Sequence, residues 1–164
     1  MAIYLTDTEI KALLDEQKLF PVTIEDFFRF NKTKKGHYES EQKIERPDGS
    51  FFIIKLRQNI ENVLDFTSLL AYANNTSSDV FILCRYNGKS HEHRNKLDKT
   101  PVFYDFHIHK ATQLYQDNGF KEEFYATVTD RYSDLKNAFL SMVEDCSIIL
   151  PKSPSKSQSE FEFE

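Results

Sequence analysis

The chain has 164 residues, room for one domain with a core of its own and not for two. Its 21 basic and 26 acidic residues leave a net charge of −5, so any contact with nucleic acid would need a local basic patch. Four scattered glycines (Gly36, Gly49, Gly88 and Gly119) exclude a Walker loop and a dinucleotide fingerprint.

Taken in chain order, the first element is a helix. Thr6 and Glu9 have the spacing of a capping box, and Ile10, Leu13 and Leu14 share one face behind it. Pro21 stops continuation, and the aromatic segment 22–30 reads as loop with a short strand or turn. Tyr38 to Arg46 is mostly polar, as an edge strand should be. Pro47-Asp48-Gly49 supplies a tight turn into a strand from Phe51 to Arg57, with Phe52, Ile54 and Leu56 on one face. Residues 62–73 read as a further strand, followed by a polar turn from Asn74 to Ser78.

Val80 to Cys84 is apolar on both faces, which predicts a central strand. Residues 87–101 are the longest polar stretch within the domain. Val102 to Lys110 is a strand, Asp117 to Gly119 a turn, and Glu123 to Thr129 another strand. Ser133 is the expected N-cap of a last helix running to Cys146, with Leu135, Ala138, Phe139, Met142 and Val143 as its apolar stripe. This order predicts one α+β domain over 1–150, an antiparallel sheet of five to six strands flanked by an N-terminal and a C-terminal helix. After Pro151 the composition turns to Lys, Ser, Pro, Gln and Glu, so 151–164 is expected to be a disordered tail. No stretch approaches the ~20 apolar residues of a membrane span. Cys84 and Cys146 lie in apolar segments, as reduced, buried thiols do, and a cytoplasmic location without membrane contact is expected.

Four of the five histidines carry the functional argument. His91 and His93 fall in the long polar stretch, and His107 and His109 in the strand after it. Strand alternation places Asp105, His107 and His109 on one face, about 7 Å from one to the next, with Tyr104, Phe106 and Ile108 on the other. Three polar groups in a row predict an open face rather than core. Two such imidazoles can act as acid and base across one phosphodiester, and Arg85, Arg94 and Lys96, with Lys99 and Lys110 nearby, could hold its phosphate. The alternatives are a solvated polar face and a metal site of Asp105, His107 and His109. No third ligand stands at a fixed motif spacing, so no cofactor is expected. Convergence depends on register. If Tyr86 pairs with Val102, His109 lies roughly 20 Å from the loop; if Tyr86 faces Phe106, all four histidines meet. His37, among Lys32, Lys34 and Lys35, reads as surface without a partner.

Phe81 to Asn87 followed by Gly88, His91, His107-Ile108-His109, the Gly119 turn and a helix ending at Cys146 resemble a group of small, uncharacterised bacterial proteins. The pattern is also similar to the TumE-like proteins, which are assigned as toxins of bacterial toxin–antitoxin pairs. The loop here is longer, carries Lys and Arg where Pro and Gly are typical, and adds His93. The resemblance implies a toxin-like component with a cognate antitoxin or other protein partner; the histidines add the reading of a metal-independent ribonuclease acting on RNA, in which His107 or His109 takes the 2′-hydroxyl proton and His91 or His93 protonates the leaving oxygen. A homo-oligomer is compatible with it. A non-enzymatic protein-binding partner (antitoxin, immunity or phage-defence component) and a metal-dependent hydrolase stand as alternatives, because a shared pattern does not fix the chemistry.

Overall fold

In a computed structural model of the chain, residues 2–30, 32–98 and 103–152 are described. The expected disordered tail lies outside them from residue 153 onward, as do Lys99 and Val102. Helix α1 (Asp7–Asp15) has the capping box read from its sequence: Thr6 Oγ1 accepts from Glu9 N, and Glu9 Oε1 accepts from Thr6 N. A two-residue strand, β1 (Lys18–Leu19), follows. Segment 22–30 is not a strand but contains a single helical turn, α2 (Ile24–Phe27), because the Thr23 side chain caps Asp26 N and Phe27 packs inward.

Seven antiparallel strands then follow in chain order: β2 (Lys32–Lys34), β3 (His37–Glu45), β4 (Phe51–Asn59), β5 (Phe66–Ala73), β6 (Phe81–Asn87), β7 (His107–Lys110) and β8 (Ala126–Val128). Strand β2 covers only His37–Glu39 of β3, so most of β3 is an outer edge as its polar sequence requires. Residues 62–65 form the turn before β5 rather than part of it. Between β7 and β8 lie a short helix, α3 (Gln113–Asp117), and a 3₁₀ turn at Glu122–Phe124, both absent from the sequence reading. The last helix, α4 (Leu135–Asp145), is capped by Asp134, whose carboxylate accepts from Asn137 N at 2.8 Å; Ser133 stands one residue too early. The final strand, β9 (Ile148–Ile149), pairs in parallel with β1 and ties the two ends of the described chain together.

Helices α1, α2 and α4 pack on one face of the sheet. Phe52, Ile54 and Leu56 of β4, Leu70 of β5, Cys84 and Tyr86 of β6 and Ile108 of β7 meet Phe20, Phe27 and Phe139 in one core. Cys84 and Cys146 are free, buried and 3.9 Å apart at sulfur. Lys18, almost wholly buried, donates from Nζ to the carbonyls of Leu13, Leu14 and Glu16 at the end of α1 and of Cys146 at the end of α4. Among the described residues no helix is long and apolar enough to cross a membrane.

The other sheet face carries the polar residues. Register builds two rows across it: Arg57, Thr67, Asn87 and His107 in one, and Lys55, Leu69, Arg85 and His109 in the next. The chain leaves β6 at Gly88, whose N–H donates to Phe66 O while Lys89 N donates to Leu64 O. A Cβ on Gly88 would stand 1.9 Å from that Leu64 oxygen. Gly88→Ala is therefore expected to lower stability by about 1–3 kcal/mol through forced displacement of the loop base. Denaturant midpoints would measure this, and an unchanged midpoint would mean that the loop is not anchored at Leu64.

Candidate functional site

Strand β7 begins at His107, five residues later than alternation suggested, and this changes the site. Tyr86 faces Ile108 and Asn87 faces His107, so neither of the two registers considered from sequence holds. The loop is longer than the polar composition implied, and it closes on itself where His93 and Phe103 exchange two backbone hydrogen bonds of 2.9 Å. Asn95 then anchors it over β8. Its Nδ2 donates to Ala126 O at 2.9 Å and its Oδ1 accepts from Ala126 N at 2.7 Å, which fixes the orientation of the amide. Lys96 N and Leu97 N add bonds to Phe124 O and the Tyr115 hydroxyl.

The folded-back loop covers the polar sheet face. His107 is 1% exposed and His109 4%, so the open face expected from sequence is instead enclosed. Substitutions there that would be neutral on an open face are expected to be destabilising. Asp105 does not share that face; it is exposed in the bend before β7 and contributes its backbone carbonyl. His93 comes down onto the pair. Ring centroids are 4.8 Å apart for His107 and His109, 5.0 Å for His93 and His109, and 5.6 Å for His93 and His107. The strand pair is closer than the ~7 Å of ideal i, i+2 spacing because the two rings lean together.

Hydrogen bonds assign the protons on these rings. His107 Nδ1 lies 2.7 Å from Asp105 O, and a carbonyl can only accept, so Nδ1 carries the proton and Nε2 is a bare lone pair in the neutral ring. That Nε2 is buried without a partner. His109 bonds the Tyr125 backbone through one ring nitrogen, and its Nδ1 is likewise buried without a partner. His93 Nε2 lies 2.9 Å from the oriented Asn95 Oδ1, so it is the protonated nitrogen. Burial lowers the pKa of His107, and burial first, then the neighbouring His107, His93 and Arg85 charges, pushes His109 down to about 3. Both rings are neutral near pH 7.

These residues line a cavity of about 410 Å³ together with His91, Arg57, Arg85, Arg94 and Lys96. All seven side chains singled out from sequence for catalysis or phosphate binding therefore border one space. They do not stand there equally. His91 is exposed at the rim and bonds Ser90 Oγ at 3.0 Å, outside the three-ring cluster. Arg85 donates from Nε to Glu122 at 2.7 Å, which holds it in place and offsets part of its charge. Lys96 lies over the Phe124 ring. Lys110 points from the opposite side of β7 and Lys99 is not among the described residues. His37, expected to be unpartnered, meets Arg57 Nη2 at 3.1 Å.

Arg57, Thr67 and Asn87 also line the cavity and Asn95 anchors its loop, although no sequence feature marks them. Their signal is register and long-range hydrogen bonding, and no local motif encodes either. The lining carries four cations against the carboxylates of Asp65 and Glu92, a local basic patch on an acidic chain. Among the described residues no group of three or more His, Cys, Asp or Glu side chains is placed to hold a metal ion. In comparisons with known proteins, the chain matches no family model, no curated protein and no solved structure.

Proposed function

We propose that the cavity cleaves RNA by histidine acid–base chemistry, in a toxin-like component of a bacterial defence or toxin–antitoxin system. One observation carries the chemistry: the buried His107, whose Nε2 has no hydrogen-bond partner, lines a cavity bordered by Arg57, Arg85, Arg94 and Lys96. A lone pair so placed calls for a hydroxyl donor, and the cationic rim calls for an anion. The ribose 2′-hydroxyl beside a backbone phosphate offers both. His107 takes the 2′-hydroxyl proton, the 2′-oxygen attacks phosphorus, and the bond to the 5′-oxygen breaks. His91, exposed at the rim and open to proton exchange with water, returns a proton to the leaving oxygen. Arg94 and Arg85, which both line the cavity, offset the charge that builds on the phosphate. The toxin assignment and a cognate antitoxin as partner rest on the likeness of residues 81–148 to TumE-like proteins.

Induced expression of the full chain is expected to arrest growth. His107→Gln and Arg94→Ala should relieve the arrest, and Lys11→Ala, on the far exposed face of α1, should not. Arrest that persists in a folded His107→Gln protein would remove His107 from the mechanism and favour a protein-binding role.

A further inference from the structure

The polar sheet face changes character toward the turn between β3 and β4. Ile53, Ala71 and Ile82 pair into an apolar row beside the row of Lys55, Leu69 and Arg85. These rows line a groove of about 280 Å³, and Arg57, Thr67 and Arg85 border both the groove and the histidine cavity. Ile53, Leu69 and Ile82 are apolar yet only half-buried there. The groove is basic, with Lys55, Arg57 and Arg85 against the single carboxylate of Glu41 among the described residues. Lys55 lies 3.7 Å from Glu39 and Arg85 donates to Glu122, whereas Arg57 meets the His37 ring rather than a carboxylate.

The sequence of the same chain holds a segment of complementary pattern. Glu160-Phe161-Glu162-Phe163-Glu164 alternates strictly and carries a charge of −3 with no cation. We propose that this segment docks in the groove of its own chain, with Phe161 and Phe163 on the apolar row and the glutamates on Lys55, Arg57 and Arg85, and so closes the cavity to other anions. A segment with no core of its own takes its order from the surface it covers. In an extended segment alternate side chains point to opposite sides, about 7 Å from one to the next on each side. Laid across the strands, along the boundary between the rows, it turns its phenylalanines to one row and its glutamates to the other. The glutamates then span about 13 Å, and Lys55 and Arg85, two strands apart, stand about 10 Å apart at the backbone. Reach is sufficient. Phe161 lies nine residues beyond Lys152, about 30 Å of extended chain. The chain comes to that stretch from β9, whose partner Lys18 lies over the ring of Phe52, the neighbour of Ile53 on the other sheet face. The free edge of β3 is a poor alternative, because Glu41 and Glu45 stand on it and Lys43 is held over the Phe51 ring.

Docked there, the segment competes with RNA for Arg57 and Arg85. That consequence rests on the acid–base reading above, and the docking itself does not. With an intrinsic Kd of about 0.1 mM and the effective concentration of about 1 mM that a short tether gives, the segment is docked about nine-tenths of the time, so its release should raise cleavage roughly tenfold. The test uses the full chain with Phe161→p-benzoylphenylalanine, irradiated at several dilutions, with crosslinked peptides identified by mass. Crosslinks within one chain to residues 51–57, 67–71 or 80–85 are expected at every dilution. Joint Glu160→Gln, Glu162→Gln and Glu164→Gln substitution should abolish them. Cleavage of RNA is measured on Phe161→Ser with Phe163→Ser, which leaves the charge unchanged. All these positions lie outside the residues that build the core, so folding is not at issue. Groove crosslinks with faster cleavage by the serine variant support the docking and its control of the cavity. Groove crosslinks with cleavage unchanged overturn the closing of the cavity, and groove crosslinks with no cleavage by any form support the docking and remove the RNA reading. Crosslinks only between chains, or none in the groove, overturn the docking and leave the acid–base mechanism standing.

Discussion

Lys18→Met is expected to lower the unfolding free energy by about 3–5 kcal/mol, since it removes a charged donor from an enclosed set of acceptors. Lys18 is 1% exposed, and its ammonium group donates to four carbonyls within 2.7–3.1 Å. Those carbonyls belong to the C-terminal ends of α1 and α4, where helix dipoles favour a cation. Burial lowers the Lys18 pKa, but the partners are all acceptors and hold the protonated form. Met keeps the length and apolar stem, so the loss measures the ammonium group rather than a cavity. Urea denaturation at pH 7 reads it directly. A cost under about 1 kcal/mol would mean that water replaces the ammonium group, at odds with its burial.

The second large effect is a fall in stability with acid between pH 6.5 and 5. Near pH 7 and above, His109 is neutral in both folded and unfolded chains and contributes nothing to pH dependence. Below its ordinary value of 6.5 the unfolded chain binds a proton that folded His109, with its pKa pushed to about 3, refuses. The unfolded state then holds more protons, and stability drops at about 1.4 kcal/mol per pH unit from this residue. His107 shifts in the same direction and adds to the upper part of the range. Between pH 6.5 and 5 His109 alone accounts for about 2 kcal/mol. His109→Gln cannot titrate, so its stability should fall by that much less over the same interval. An equal fall in variant and wild type would show that His109 is protonated in the folded chain.

The α+β architecture was legible wherever the cause was local. Thr6 and Glu9 cap α1 through atoms three residues apart, and Gly49 turns β3 into β4 at a positive φ of 91°. Alternation of Phe52, Ile54 and Leu56 gave the core face of β4, because period two needs no information from elsewhere. What failed was decided at a distance. The start of β7 at His107 depends on Phe103 turning back to pair with His93, so alternation read through Asp105 placed a carboxylate on a face it does not reach. His107 and His109 looked solvated because polar side chains usually are, and the loop that buries them is held by Asn95 and Ala126, 31 residues apart. Lys18 gave no warning at all. Lysines are rarely buried, and only the meeting of two helix ends explains its place.

The central question is whether a neutral histidine lining a cationic cavity takes a proton from a ribose hydroxyl. The direct measurement uses chelator-treated protein and a single-stranded oligodeoxynucleotide containing one ribonucleotide, with products analysed by mass. Cleavage on the 3′ side of the ribonucleotide is predicted, leaving a 2′,3′-cyclic phosphate. His107→Gln should slow it by about 10²–10⁴-fold, the usual worth of a general base. Equal cutting of the all-deoxy or 2′-O-methyl strand, or no cutting of any strand by the stable wild-type protein, would contradict the account.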